Sequence, residues 1–127
     1  VIMLIGWDFD MRIALEPQLA GQATIHGAVK SLRKADELHI INYGAGLAER
    51  LTGLHETCHI NEFRSGRSDR GASIRIPAQV AIDGYGYIED RRPAANCDPY
   101  LVSALLVNTV CELGVNLFEQ EKIPVLA

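Results

Sequence analysis

The sequence is poor in cysteine and has no surplus of positive charge, and each scarcity excludes a class of protein. Its 127 residues contain three cysteines, Cys58, Cys97 and Cys111, without a CxxC pair. This odd, sparse set argues against a disulfide framework and a structural zinc site, so we expect reduced thiols and a cytoplasmic protein. Twelve lysines and arginines against sixteen acids give a net charge of -4. We therefore expect neither nucleic acid nor an anionic membrane as a partner.

Long apolar runs are also missing. No stretch approaches the roughly 18 residues that a membrane-spanning helix needs, and the apolar opening 1–5 lacks the basic leader of a signal peptide. The composition that is present, 48% hydrophobic and 22% charged, is that of a globular protein with one modest core. Because the first residue is Val1, we expect the chain to be an excised or processed piece.

Hydrophobic periodicity in the first half predicts both helix and strand. Continuous apolar residues predict a strand at 1–5, and helical spacing predicts a helix over 25–38 with Thr24 as its N-cap. Residues 39–43 fit a short strand. The polar stretch 47–69 predicts a long loop, and loops of that length usually carry function or are disordered.

Two strands and a helix are predicted in the second half. Residues 72–77 and 85–91 alternate in polarity, and we expect them to pair as an antiparallel hairpin with a long connection. Asp98 predicts an N-cap and Pro99 suits the first helical position. The helix that follows is expected to end at a C-terminal cap on Gly114.

Charged residues on the two strands predict a site for an anion. Arg75 lies on the first strand, Glu89 and Arg91 share a face of the second, and Arg70 precedes the first. Three guanidinium groups beside one carboxylate leave an excess of positive charge, which does not suit a structural ion-pair network. They suit an anionic ligand, because arginine binds carboxylate and phosphate through paired N–H bonds. The carboxylate could hold Mg²⁺ or Mn²⁺. The residues alone leave open a solvated polar face with surface ion pairs.

Three stretches resemble the glutamine synthetase family, most nearly its eukaryotic-type class. They are LTGLHET at 51–57, RGASIRIP at 70–77 and GYIEDRRPAANCDPY at 86–100, and their order and spacing fit. The resemblance extends from about His26 to about Cys111. It implies the C-terminal part of a catalytic domain, an incomplete α+β fold with a curved antiparallel sheet and helices on one side.

The resemblance divides the chain into three parts. Residues 1–24 form an N-terminal segment of uncertain origin, 25–115 the glutamine synthetase-like region and 116–127 a tail. Residues 1–17 weakly resemble a phospholipase D-type segment through IGWDFDMRI at 5–13. A phospholipase D-like hydrolase is therefore an alternative function. The catalytic His-x-Lys motif of that family does not occur in the sequence.

The resemblance also implies roles for the charged residues of the strands. Arg70 matches an arginine that touches both glutamate and nucleotide phosphate, and Arg75 matches one that binds the nucleotide phosphates. Tyr87 matches a residue lining the nucleotide pocket. Glu89 matches a ligand of Mg²⁺ or Mn²⁺, and Arg91 matches the arginine that holds the glutamate carboxylate.

The implied reaction is the ATP-dependent joining of ammonia to L-glutamate through γ-glutamyl phosphate. Glu56 matches the acid of a flap that closes over glutamate and helps deprotonate ammonium. Metal ions and arginines would neutralise the negative charge on the phosphoryl group during its transfer. The implied partners are L-glutamate, ammonia and ATP, and the resemblance implies a homo-oligomer if the protein is full-length.

The sequence departs from the family in ways that bear on activity. The family's other metal ligands lie well upstream of the matched stretches, and no matching segment occurs here. Ala78 stands where arginine is usual, and residues 64–69 replace a smaller, more apolar run. We therefore expect the isolated chain to be inactive, and the alternative is a remnant that binds nucleotide or a partner without catalysis.

Overall fold

The computed structural model describes residues 2–4 and 17–118, with side chains from residue 22 onward. Helices and strands alternate irregularly along these ranges, so the prediction of an α+β chain is confirmed. The elements, in chain order, are β1 (Ile2–Leu4), α1 (Pro17–Lys34), α2 (Asp36–Ile40), α3 (Leu47–Arg50), β2 (Ser65–Arg67), β3 (Ile74–Ile76), α4 (Ala78–Asp83), β4 (Ile88–Asp90) and α5 (Pro99–Val110).

The four strands form one sheet in the order β1-β4-β3-β2. Strand β4 pairs antiparallel with both β1 and β3, which confirms the predicted pairing of the two central strands. Strand β2 pairs with β3 in the parallel sense, so the sheet is mixed and the prediction of an antiparallel sheet is wrong at this edge. The connection between β2 and β3 doubles back through Ser68, whose φ of 51° lies in the left-handed region.

The core lies where helices α1 and α5 pack against each other and against the central strands. Each helix contributes a stripe of apolar residues that faces this core. The fully or nearly buried members are Ile25, Ala28, Val29 and Leu32 of α1, Val102 and Leu106 of α5, Ile74 of β3, Ile88 of β4, and Tyr43, Leu47, Leu51 and Val80 from the intervening segments.

The first half differs from the predicted elements in three places, and one of them is the predicted loop 47–69, which begins with helix α3. Helix α1 begins at Pro17, so Thr24 lies inside the helix and is not its N-cap. The predicted strand 39–43 is instead the end of α2 and a turn. The side chains of His39 and Tyr43 are joined by a 2.6 Å hydrogen bond. Residues four apart meet on a helical turn but not on a strand, which explains the difference.

The closing helix begins where the sequence predicts. Asp98 Oδ1 accepts hydrogen bonds from the backbone N–H groups of Tyr100 (3.0 Å) and Leu101 (3.4 Å), so the N-cap is confirmed. The predicted C-terminal cap is wrong, because the helix ends at Val110 with Cys111 as its cap. The phospholipase D-type stretch 5–13 lies outside the described residues.

Within the described part of the chain, every helix is too short or too polar to cross a lipid bilayer.

Candidate functional site

Strand register brings the central charged residues together. Arg75 of β3 stands directly opposite Glu89 of β4. Arg75 Nη1 donates to both carboxylate oxygens of Glu89 at 3.0 Å, and Arg91 Nη1 lies 3.8 Å from Glu89 Oε2. The side chains of Glu89 and Arg91 are each 11% exposed and that of Arg75 is 25% exposed. The two guanidinium groups therefore converge on one nearly buried carboxylate.

Glu56 reaches the same cluster from the loop between α3 and β2. Its Oε2 accepts a hydrogen bond from Arg91 Nη2 at 3.2 Å, while its side chain is 67% exposed. The base of the loop is closed by a 2.9 Å bond from Ile60 N–H to the carbonyl oxygen of Leu51. Because the Glu56 side chain is largely in water, this ion pair contributes on the order of 1 kcal/mol, and the carboxylate of Glu56 can leave Arg91 at little cost.

Arg50 is a neighbour of the cluster that the sequence analysis did not identify. Its Nη2 donates to the carbonyl oxygen of Arg92 and lies 3.3 Å from that of Pro93. Burial and, next, the positive charge of Arg91 lower the pKa of Arg50, and Arg50 Nη2 lies 3.5 Å from the carbonyl oxygen of Arg91. The available signal was its position immediately before the matched stretch 51–57.

The remaining two candidates are not joined to the cluster. Arg70 is exposed, and the structure records no hydrogen bond or ion pair from its side chain to another described residue. Tyr87 is half-buried and packs against the hydrophobic core. Neither side chain bonds to Arg75, Glu89 or Arg91, so their roles remain predictions.

The cluster has unused hydrogen-bond donors and an excess of positive charge. The Nε–H groups of Arg75 and Arg91 are buried and lack a partner among the described residues. Buried polar groups are normally satisfied, so an unpaired donor indicates a missing acceptor. The guanidinium groups of Arg75 and Arg91 contact the carboxylates of Glu89 and Glu56, and Arg50 adds a third positive charge near Arg91. An anion that offers several oxygens matches this arrangement.

These residues do not fit a divalent cation. Both carboxylate oxygens of Glu89 accept hydrogen bonds from Arg75, and Arg91 forms an ion pair with the same carboxylate. Across residues 2–4 and 17–118, no group of three His, Cys, Asp or Glu side chains is placed to hold a metal ion. Because Mg²⁺ and Mn²⁺ require several oxygen ligands, the described residues do not complete the metal site expected at Glu89.

The opposite face of β4 carries a buried polar network that the sequence analysis also missed. Asp90 is completely buried, and its Oδ2 accepts hydrogen bonds from Tyr43 Oη (2.7 Å) and Arg92 Nη2 (2.8 Å). Its Oδ1 accepts from Arg92 Nε at 2.9 Å. His39 Nδ1 lies 2.6 Å from the hydroxyl oxygen of Tyr43. Residues from α2, the following turn and β4 are thereby joined.

Arg92 is held as a buried cation by charge and by aromatic rings. It is 2% exposed, bonds Asp36 Oδ1 at 2.6 Å, and lies 5.1 Å above the rings of both Tyr43 and Phe63. Burial acts to lower its pKa, but the hydrogen bonds and negative charge of Asp90 raise the pKa overall. Burial and then Asp90 also raise the pKa of Tyr43. Both groups therefore keep their protons at neutral pH.

Comparison with known proteins gives the family. A scan against protein-family models finds no match. The chain is 58% identical over 90 residues to the chloroplastic glutamine synthetase of Chlamydomonas reinhardtii, which covers 71% of this chain and 24% of that protein. It is 67% identical over 73 residues to the glutamine synthetase of Streptomyces viridochromogenes, covering 58% and 21%, and 51% identical over 94 residues to that of Saccharomyces cerevisiae, covering 74% and 25%.

The chain spans about a quarter of the length of the curated relatives it matches. Identities of 51–67% over most of the chain are far above the level at which unrelated sequences align by chance. On this evidence, the chain belongs to the glutamine synthetase family.

Proposed function

We propose that this chain supplies an anion-binding part of a glutamine synthetase active site, in an enzyme that joins ammonia to L-glutamate with ATP through γ-glutamyl phosphate. The observation that carries the proposal is the convergence of Arg75 and Arg91 on Glu89, with two buried Nε–H donors that have no partner among the described residues. The sequence identity to glutamine synthetases supports it.

In this proposal the arginines bind and orient the negatively charged reactants. Arg75 and Arg70 would contact the nucleotide phosphates, with Tyr87 beside the nucleotide. Arg91 would hold the carboxylate of L-glutamate, and Arg70 would also contact glutamate. Guanidinium groups suit these tasks because each presents paired N–H donors to two oxygens. Fixed positive charge would also stabilise the phosphoryl group as it is transferred.

Glu56 would act on ammonium at the edge of the site. Its exposed carboxylate lies 3.2 Å from Arg91 Nη2, beside the residue proposed to hold glutamate. From that position it could accept a proton from ammonium and cover the acyl phosphate against water. The divalent cation that accompanies ATP would need further oxygen ligands besides Glu89, from outside the described residues.

The proposed partners and setting are those that the family implies. The chain would act on L-glutamate, ammonia and ATP as part of a homo-oligomer, with Mg²⁺ or Mn²⁺ accompanying the nucleotide. We place the protein in the cytoplasm, although one relative is named as chloroplastic.

Calorimetric titration with ADP, with and without Mg²⁺, tests the anion site. We expect weak binding to the parent chain and a loss of at least about tenfold in affinity for Arg75→Ala, because a hydrogen bond to a charged group contributes about 1.5–3 kcal/mol. Arg67→Ala is the matched control. Arg67 lies on the neighbouring strand β2, is exposed, and has no recorded side-chain partner among the described residues.

Two results would overturn the proposal. One is the absence of binding heat when the folded parent chain is titrated to millimolar ADP. The other is an equal loss of affinity in Arg67→Ala and Arg75→Ala, since general surface charge would then explain the binding.

A further inference from the structure

Strand β4 and the two residues that follow it carry charged side chains on both faces of the sheet. Side chains along a strand alternate, so Glu89 and Arg91 project to one side while Asp90 and Arg92 project to the other. The first pair belongs to the anion-binding cluster. The second pair is buried, with Asp90 0% exposed and Arg92 2% exposed. Any movement of Asp90 must therefore move the backbone that carries its two neighbours.

The carboxylate of Asp90 is fully occupied by hydrogen bonds. Its four donors are Tyr43 Oη (2.7 Å), Arg92 Nη2 (2.8 Å), Arg92 Nε (2.9 Å) and the backbone N–H of Arg92 (3.1 Å). A carboxylate has about four lone-pair sites, so no acceptor capacity is left. Such a group has one favoured position, because any rotation would leave a buried donor unpaired.

The network also fixes the direction of its own hydrogen bonds. Tyr43 O–H donates to Asp90, so the tyrosine oxygen must accept from the Nδ1–H of His39. The Nε2 of His39 then accepts from the hydroxyl of Thr109 at 2.7 Å. A continuous line of bonds thus runs from α5 through α2 to β4, and no member lacks a partner.

We propose that Asp90 and Tyr43 are positioning residues of the anion site. The bond from Tyr43 to Asp90 sets the orientation of β4. This orientation holds Glu89 and Arg91 beside Arg75, in the arrangement that binds an anion. The inference rests on the proposed function for its ligand, but the geometric claim concerns this chain alone. Neither residue touches the ligand, since both lie on the far side of the strand.

Tyr43→Phe is the discriminating variant. It removes only the hydroxyl, keeps the ring beneath Arg92, and leaves both side-chain bonds from Arg92 to Asp90 in place. We expect ADP affinity to fall by about tenfold at a temperature where the variant is fully folded, because groups that orient binding residues contribute at that level. Val102→Ala is the control for stability, since Val102 is fully buried in α5 and outside the network.

A second measurement keeps the two proposals apart. The Nε–H resonances of Arg75 and Arg91 report the geometry of the cluster by NMR without any ligand. We expect both to shift in Tyr43→Phe and to stay in place in Val102→Ala. If the parent chain binds no ADP, the proposed function fails while these resonances still test the positioning claim.

Two outcomes would overturn the positioning claim. The first is an unchanged pair of Nε–H resonances in folded Tyr43→Phe. The second is an equal effect of Val102→Ala on ADP affinity or on the resonances, because the tyrosine hydroxyl would then act only through overall stability.

Discussion

His39 is a buried histidine whose charge state is coupled to folding. It is 0% exposed, and burial, followed by the positive charge of Arg92, lowers its pKa from 6.5 to about 4, against an opposing effect of Asp90. Between these pH values the unfolded chain binds more protons than the folded one. The free energy of unfolding should therefore fall as the pH is lowered from 6.5 to 4, by about 3 kcal/mol from this residue.

Urea denaturation between pH 4 and 7 measures this coupling. His39→Gln should be less stable than the parent at pH 7 and should show a shallower pH dependence in this window. The parent and His39→Gln differ at this one titratable side chain, so the difference between their two curves reports on His39. His55→Gln, at an exposed position, is the matched control for the loss of a histidine. Parallel curves for His39→Gln and the parent would show that the folded protein tolerates the charged imidazole.

Sequence reasoning found the cluster residues that alternate on one strand, and the family resemblance added Glu56, but neither found the buried network around Asp90. Glu89 and Arg91 follow from strand periodicity, and pairing with the preceding strand adds Arg75. Arg92 bonds Asp36, 56 residues away, and no local pattern encodes such a contact. The buried network was therefore visible only in the structure, although its members are ordinary polar residues in the sequence.

The N-terminus of α5 is an element whose stability depends on one side chain. Asp98 is exposed and accepts from two backbone N–H groups that have no partner inside the helix. Asp98→Ala should therefore lower the free energy of unfolding by about 1 kcal/mol, whereas Asp98→Asn should keep most of the stability because asparagine also caps. Urea midpoints at neutral pH distinguish the two. Equal midpoints for Asp98→Ala and the parent would mean that water replaces the cap without cost.

Helix α5 was predictable from its local signals, whereas the short elements α2 and β2 were not. Helix α5 has a cap, a proline at its first position and a twelve-residue apolar pattern. Helix α2 has five residues and β2 has three. At that length the contacts of single side chains decide the conformation: His39 with Tyr43 in α2, and backbone pairing with β3 in β2. Local propensity is too weak to specify either element.

At the scale of the whole molecule, β4 links two polar assemblies that differ in exposure. One face bears the partly open arginine cluster, and the other bears the closed network around Asp90. The network satisfies its own hydrogen bonds, whereas in the cluster the Nε–H groups of Arg75 and Arg91 lack partners within the part of the chain that the structure describes. A rigid support behind an unsatisfied site is the arrangement that ligand binding requires.

Binding and turnover should separate in this chain. Incubated with L-glutamate, ATP, Mg²⁺ and hydroxylamine, it should form no γ-glutamyl hydroxamate, even in a preparation that binds ADP. The reason is electrostatic: Glu89 is held by two arginines, and the described residues offer no set of carboxylates to retain the cation beside the transferred phosphoryl group. Hydroxamate that is produced by the parent and lost in Glu56→Ala would show that the cluster completes the reaction with ligands from elsewhere. The arginine cluster would then be a full catalytic site and not only a binding site.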